Sequence, residues 1–207
     1  MEYEPILNGC TSLCSEKMAR TYTKLKRAEN QAETRQRIVE AAVDLHGDIG
    51  PAATTISLIA ERAGVQRHTI YAHFPDERSL LMACSGLHIK QEPPPTPSAW
   101  RTVEDPALRL HAGLTALYAW FARNEAMIGN VLRDAEQNPT LREISDLRFG
   151  TPIGAIYASL STGLGKQGQA ALGLAISFYT WRSLTRGGTK AKDAVALMVK
   201  TVTGADS

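Results

Sequence analysis

Between Gly64 and Pro75 the sequence reads GVQRHTIYAHFP, with one Arg, two His, a Gln, a Thr and a Tyr, and no carboxylate. Only Val65, Ile70 and Phe74 are its large apolar residues. Placed on a helix at about 100° per residue, Ile70 and Phe74 fall at i and i+4 and face inward, with Val65 beneath the preceding turn. His68 and Ala72 then point nearly opposite Ile70, Thr69 and Tyr71 flank them, and Gln66, Arg67 and His73 form the border. That face offers hydrogen-bond donors, a planar cation, a phenolic hydroxyl and small methyl-bearing side chains. The major groove of a DNA duplex presents purine acceptors, thymine methyls and flanking phosphates. Arg67 can bond guanine bidentately or hold a phosphate, and Ala72 and the Thr69 methyl can meet a thymine methyl. Tyr71, Thr69 and His73 suit phosphate oxygens. The plain alternative is a solvated helix face, which is what most polar runs are.

The upstream residues decide between the two. A helical period begins at Glu33, with Ile38, Ala42 and Leu45 on one stripe, and Gly47 and Gly50-Pro51 end it. Thr54 and Thr55 supply a capping hydroxyl for a second helix that carries Ile56, Ile59, Ala60 and Ala63. Gly64 follows where a helix finishes in a left-handed residue, and only Val65 and Gln66 separate it from the next helix. Two short helices joined by a three- or four-residue turn containing Gly form the helix-turn-helix layout. That context favours DNA recognition over a solvated face. Asp76 caps a fourth helix with Leu80, Leu81, Cys84 and Leu87.

Next comes EPPPTP, Glu92 to Pro97, whose prolines exclude a helix interior and mark a stiff linker. Beyond it the period is helical again. Asp105-Pro106 opens a helix with Leu110, Leu114, Leu117 and Phe121, and Met127, Ile128, Val131 and Ala135 mark the next. Asn138-Pro139 opens a helix with Leu141, Ile144 and Leu147, and Thr151-Pro152 another with Ile153, Ile156, Tyr157 and Leu160. A long helix from about 169 to 185 carries Ala171, Leu174, Ala175, Phe178 and Trp181, and a last one from about 190 to 203 carries Ala191, Val195, Met198 and Val202. The expected fold is all-α, with nine or ten helices. Its divisions are a basic N-terminal arm over 1–30 that shows no sustained period and reads as a tail with room for one helical stretch, a three-helix DNA-binding domain with its connecting helix over 31–92, a proline linker over 93–97, and a larger helical domain over 98–207.

Composition is that of an ordinary globular chain, at 43% hydrophobic and 21% charged. No apolar run is long enough to cross a bilayer and the first residues do not form a secretory signal, so the cytoplasm is the expected location and no membrane partner is expected. Cys10 and Cys14 read as free thiols, since no second ligand pair at zinc spacing follows; no metal or cofactor is expected. Net charge is only +2, so placement matters: Lys17, Arg20, Lys24, Lys26 and Arg27 crowd one stretch that can lie along DNA or merely aid solubility. The alternatives to DNA binding are an all-helical enzyme and a protein-interaction module. The enzyme is disfavoured by scattered histidines and the lack of an HExxH, P-loop or GxSxG motif.

The segment RQRIVEAAVDLHGDIGPAATTISLIAERAGVQRHTIYAHFPDERSLL, Arg35 to Leu81, closely resembles the N-terminal domain of TetR-family transcriptional regulators, most tellingly in TTISLIAERAGV and TIYAHFPDERSLL. The resemblance implies DNA contacts from Thr55, Gln66, Arg67, His68, Thr69, Tyr71 and His73. It also implies a larger helical domain that binds a small-molecule effector and pairs its last two helices with a second copy. Three positions depart from the family pattern. Gln66 replaces a capping Ser. Glu77 replaces a phosphate-binding Lys, for which neighbouring Arg78 is the candidate substitute. His46 replaces a buried Phe and reads as a partly satisfied core histidine. Tyr118, Phe121 and Tyr157 are the candidate effector contacts, on stripes with few charges, so a largely apolar ligand is expected. The function expected is a ligand-responsive repressor that binds a palindromic double-stranded DNA operator as a homodimer and is released by its effector.

Overall fold

The apolar stripe that begins near Glu33 belongs to a helix that starts far upstream. The computed structural model describes the backbone of residues 10–206 and the side chains of residues 21–206, and in it α1 runs unbroken over Cys10–Asp48. Residues 21–32 are exposed all round; helix-favouring Ala, Leu, Lys, Arg, Glu and Gln carry the helix there without a buried face. The helical stretch anticipated in the arm is thus continuous with the first domain. The thiols of Cys10 and Cys14 and the side chains of Lys17 and Arg20 lie outside the described residues.

Three helices follow, α2 (Ile56–Ala63), α3 (Arg67–His73) and α4 (Glu77–Gln91). After the proline segment and a 3-10 turn at Pro97–Ala99 come α5 (Pro106–Arg123), α6 (Glu125–Ala135), α7 (Pro139–Ser145), α8 (Thr151–Leu160), α9 (Lys166–Ala175), α10 (Phe178–Arg186) and α11 (Ala191–Gly204). No strand occurs among the described residues. The anticipated stripes form two cores. In the first, Ile38, Ala42 and Leu45 of α1 pack with Ile59, Ala60 and Ala63 of α2, Ile70 and Phe74, and Leu80, Leu81 and Cys84 of α4. The second gathers Leu110, Leu114, Leu117 and Phe121 of α5 with Ile156, Leu160, Leu172, Val195 and Val202.

Thr151-Pro152 opens α8 as expected, but Gly150 and Thr151 keep helical angles, so α7 runs into α8 through a π-turn at Asp146–Gly150. Pro152 has no N–H for the fourth preceding carbonyl, and the wide turn before it absorbs the mismatch. The same turn rotates the register, so Leu147 points into solvent. The long helix expected from 169 to 185 breaks at Ser177, which is extended (φ −73°, ψ 131°). Leu174, assigned to its buried stripe, is exposed, and Leu172 is buried in its place. Ser177 makes no side-chain capping bond at the start of α10, and apolar periodicity does not register the break.

The proline segment joins α4 to the helices that follow, and the two cores also touch directly. Ala135, Leu141 and Ile144 of α6 and α7 complete the first core. Asn130 Nδ2 donates to the carbonyls of His46 (3.2 Å) and Gly47 (2.9 Å). The Ala52 N–H donates to the buried carboxylate of Asp134 (2.8 Å). Arg148 donates to Met82 O (2.9 Å) and Ser85 Oγ (3.2 Å) on α4. Gly50 (φ +91°) is needed at this junction, because a Cβ there would sit 2.7 Å from Asp134 Oδ2.

His46 lies buried at this junction, its Nδ1 3.6 Å from Cys84 Sγ. It is the core histidine expected from the sequence. Burial lowers its pKa to about 4 against the attraction of Asp134, and burial pushes the Cys84 thiol up to about 12. The unfolded chain protonates His46 near its ordinary value of 6.5, well before the folded chain does. Between those two values the unfolded state binds more protons, so this group costs stability as pH falls from about 6.5 to about 4. At pH 5 the loss is about 2 kcal/mol. Urea unfolding at pH 7.5 and 5 should show His46→Phe losing less stability than the wild type by about that amount. Equal losses would contradict the burial assignment.

Candidate nucleic-acid interface

The turn between α2 and α3 sets the direction of α3. Gly64 takes the left-handed conformation (φ 64°), its N–H reaches Glu61 O (3.2 Å), and the Val65 N–H reaches Ala60 O (2.9 Å). These two bonds close α2 in a Schellman arrangement that a Cβ would strain. At the other end of α2, Thr55 Oγ1 accepts the Leu58 N–H (3.2 Å), which leaves its hydroxyl hydrogen available for a further acceptor. Thr54 is used differently, donating to Gly50 O (2.7 Å).

On α3, Ile70 is fully buried and Phe74 nearly so. The Arg35 guanidinium of α1 sits over the Phe74 ring, 4.6 Å from its centroid, and holds the far end. The opposite face is open. Gln66, Arg67, His68, Tyr71 and Ala72 are exposed, and Thr69 and His73 are half-buried. Tyr71 is 56% exposed, a large ring left in water on a seven-residue helix. Gln66 caps α3 without a side-chain hydrogen bond, in line with its replacing Ser. Thr55 and Tyr71 line one groove, together with Asp76 and Glu77.

Arg78, the candidate substitute for a phosphate-binding Lys, is half-exposed and has a partner in the fold. Its guanidinium pairs with Glu143 of α7 at 2.8 Å. Glu77 likewise accepts from Asn138 Nδ2 (2.9 Å). The adjacent Glu77 and Arg78 both tie α4 to α7, a use that only the tertiary arrangement reveals. The missed signal was the opposite charge of Glu143, 65 residues downstream.

The second domain holds a cavity of about 390 Å³ between α5, α6, the π-turn, α8 and the α9–α10 break. Its wall is apolar, formed by Trp120, Phe121, Ile128, Leu132, Phe149, Ile153, Ile176 and Phe178, and Asp146 is its one charged residue. Of the three candidate effector contacts only Phe121 lines it. Tyr118 is buried, but its hydroxyl donates to Ala175 O (2.8 Å) and fastens α5 to α9. Tyr157 donates to Gln169 O (3.3 Å) between α8 and α9. An inward stripe does not tell whether the side chain meets a neighbouring helix or a void, and both tyrosines meet a helix. Val131, Ser145 and Phe149 line this cavity and also the smaller void of about 40 Å³ beside His46, Cys84 and His88.

Among the described residues, no group of His, Cys, Asp or Glu is placed to hold a metal ion, and no helix is long and apolar enough to cross a membrane.

Residues 38–84 match the family described as bacterial regulatory proteins, tetR family. An HTH-type transcriptional regulator of Mycobacterium tuberculosis is 38% identical over 65 residues, 31% of this chain and 34% of that one. The repressor KstR of Mycolicibacterium smegmatis is 28% identical over 122 residues, 59% of this chain and 53% of that one. The matched part thus spans about a third to a half of the length of these curated relatives. A transcriptional regulator from Rhodococcus sp. Rha1 superposes with a TM-score of 0.61 at 19% identity, over 84% of this chain and 98% of that one, so the fold is shared well beyond the matched segment. The segment that holds the helix-turn-helix is thus the one similar to the tetR family, and the rest of the chain shares its helical fold with a solved transcriptional regulator.

Proposed function

We propose that the chain is a ligand-responsive transcriptional repressor that acts as a homodimer in the cytoplasm and reads a palindromic operator through α3. The observation that carries this is the outer face of α3, rich in donors, free of carboxylates and held from behind by Ile70 and Phe74. On this reading Arg67, Gln66 and His68 face base edges, Thr69 and Ala72 meet thymine methyls, and Tyr71, His73 and the free hydroxyl hydrogen of Thr55 bind phosphates. Arg78 is left out, because Glu143 occupies it. A second copy doubles the contact: two recognition helices about 34–36 Å apart match successive major-groove faces. Leu174, Tyr179 and Leu197 of α9, α10 and α11 are exposed in the single chain and are the apolar groups such a copy would cover. The repressor assignment follows the partial similarity to KstR.

The effector on this reading is a small, largely apolar molecule in the 390 Å³ cavity, a size within the usual range for ligand sites. Val131, Ser145 and Phe149 connect that cavity to the junction with α1 and α4. A ligand that prefers another packing of these residues shifts the separation of the two α3 helices and releases DNA, at a typical coupling of 1–3 kcal/mol.

Two outcomes follow. Arg67→Ala and Tyr71→Ala should each weaken operator binding about tenfold or more while the dimer stays folded, as measured by anisotropy titration and gel filtration. Affinities within twofold of wild type for both would refute the contact surface. Ile153→Trp should fill the cavity, so that 1-decanol, used as a neutral apolar probe, changes tryptophan fluorescence in the wild type but binds this variant at least tenfold more weakly. Equal decanol affinity would place the effector site elsewhere.

A further inference from the structure

The first domain is poorly charged for a partner that is a polyanion. Residues 31–92 hold six Lys or Arg and eight Asp or Glu, so the first domain without the upstream half of α1 is net acidic. Its cations are also partly committed: Arg62 to Asp48 (3.4 Å), Arg78 to Glu143 (2.8 Å) and Arg35 to the Phe74 ring. Affinity for duplex DNA rests largely on neutralising phosphates and releasing their counterions. An acidic reading domain therefore needs cations from somewhere else.

The upstream half of α1 has them. Residues 17–28 contain Lys17, Arg20, Lys24, Lys26 and Arg27 and no acidic residue, the next carboxylates being Glu29 and Glu33. With these five set aside, the remaining eighteen basic and twenty-one acidic residues leave the rest of the chain at −3. Lys24, Lys26 and Arg27 are exposed, and none has an ion-pair partner among the described residues. Their position matters as much as their charge. The C-terminal end of α1, at His46 and Gly47, is held by Asn130 of the second domain, whereas Arg35 touches α3's end at Phe74. Continuing α1 upstream from Arg35 leads away from the second domain. At 1.5 Å per residue, Lys24 to Arg27 lie roughly 12–17 Å beyond Arg35 along the axis.

We infer that the upstream half of α1 is a helical DNA-backbone clamp, whose Lys24 and Arg27 on one face, with Lys26 reaching round from the flank, bind the phosphates flanking the half-site that α3 enters. The inference rests on the proposed entry of α3 into a duplex. It assigns the two elements separate work: α3 reads bases, and the extension supplies sequence-independent electrostatic affinity.

The test uses the full chain, its triple variant Lys24→Gln/Lys26→Gln/Arg27→Gln, and Tyr71→Ala. Gln keeps helix propensity and removes only charge; circular dichroism and gel filtration check that fold and assembly are retained. Each protein is titrated from 50 to 300 mM KCl on a 40-base-pair duplex centred on a sequence that the wild type selects, and on one trimmed to that sequence. The triple variant should flatten the slope of log K against log [KCl] by about 2–3 per protomer, at about 0.9 per phosphate contact, and bind at least tenfold more weakly at 0.1 M salt. It should keep the wild type's preference for the selected sequence over random duplex, whereas Tyr71→Ala should lose part of it. Trimming the duplex should flatten the wild-type slope and leave that of the triple variant nearly unchanged. A wild-type slope retained by the triple variant on the long duplex overturns the clamp while leaving α3 recognition intact. Loss of binding to phosphatidylglycerol vesicles in the triple variant, with the DNA slope unchanged, also overturns it and marks a lipid-facing segment. A wild type with no salt-dependent binding to any duplex overturns both the clamp and the function on which it rests.

Discussion

The burial of Ile70 and Phe74 is the constraint on which the rest depends. A seven-residue helix is far too short to persist alone in water. Two large side chains at i and i+4, each contributing roughly 2–3 kcal/mol on burial, fix both the existence of α3 and its rotation. Gly64 fixes where the helix begins, and Arg35 packs against the ring at its end. With the back so determined, the exposure of His68, Tyr71 and Ala72 follows from geometry. A face held this rigidly loses little conformational entropy on meeting a partner.

The same economy governs the junction between domains. Glu77 and Arg78, adjacent at the start of α4, reach Asn138 and Glu143 on α7. Asp134 on α6 holds the Ala52 N–H beside Gly50. Ala135, Leu141 and Ile144 close the first core from the second domain's side. A core shared in this way lets a change of packing around the cavity reach α1 and α4 through contact alone. The buried, neutral His46 lies within that shared region, where protonation works against the fold.

Much of the first domain was legible because each element carries its own signal. Thr55 and Asp76 cap helices through their side chains, Gly64 turns left-handed, and the apolar stripes of α1, α2 and α4 are buried as their spacing requires. Legibility failed where the deciding partner is remote in sequence. The pairing of Arg78 with Glu143 shows only in the fold, as does the bond from the Tyr118 hydroxyl to Ala175 O. Trp120, Phe149 and Ile153 bound the cavity, but nothing in their spacing distinguishes a void from a packed neighbour. The π-turn before Thr151 and the helix break at Ser177 escaped the sequence for a local reason. A π-turn and one extended serine alter the register without interrupting the apolar content.

Selection of bound duplexes from a random-sequence pool by the full chain tests the central claim most directly. If α3 enters the major groove from two copies of this chain, the recovered DNA will share a two-fold symmetric motif whose half-sites are about 34–36 Å apart. Recovery of DNA without any enriched sequence, or of a motif without symmetry, would contradict the account.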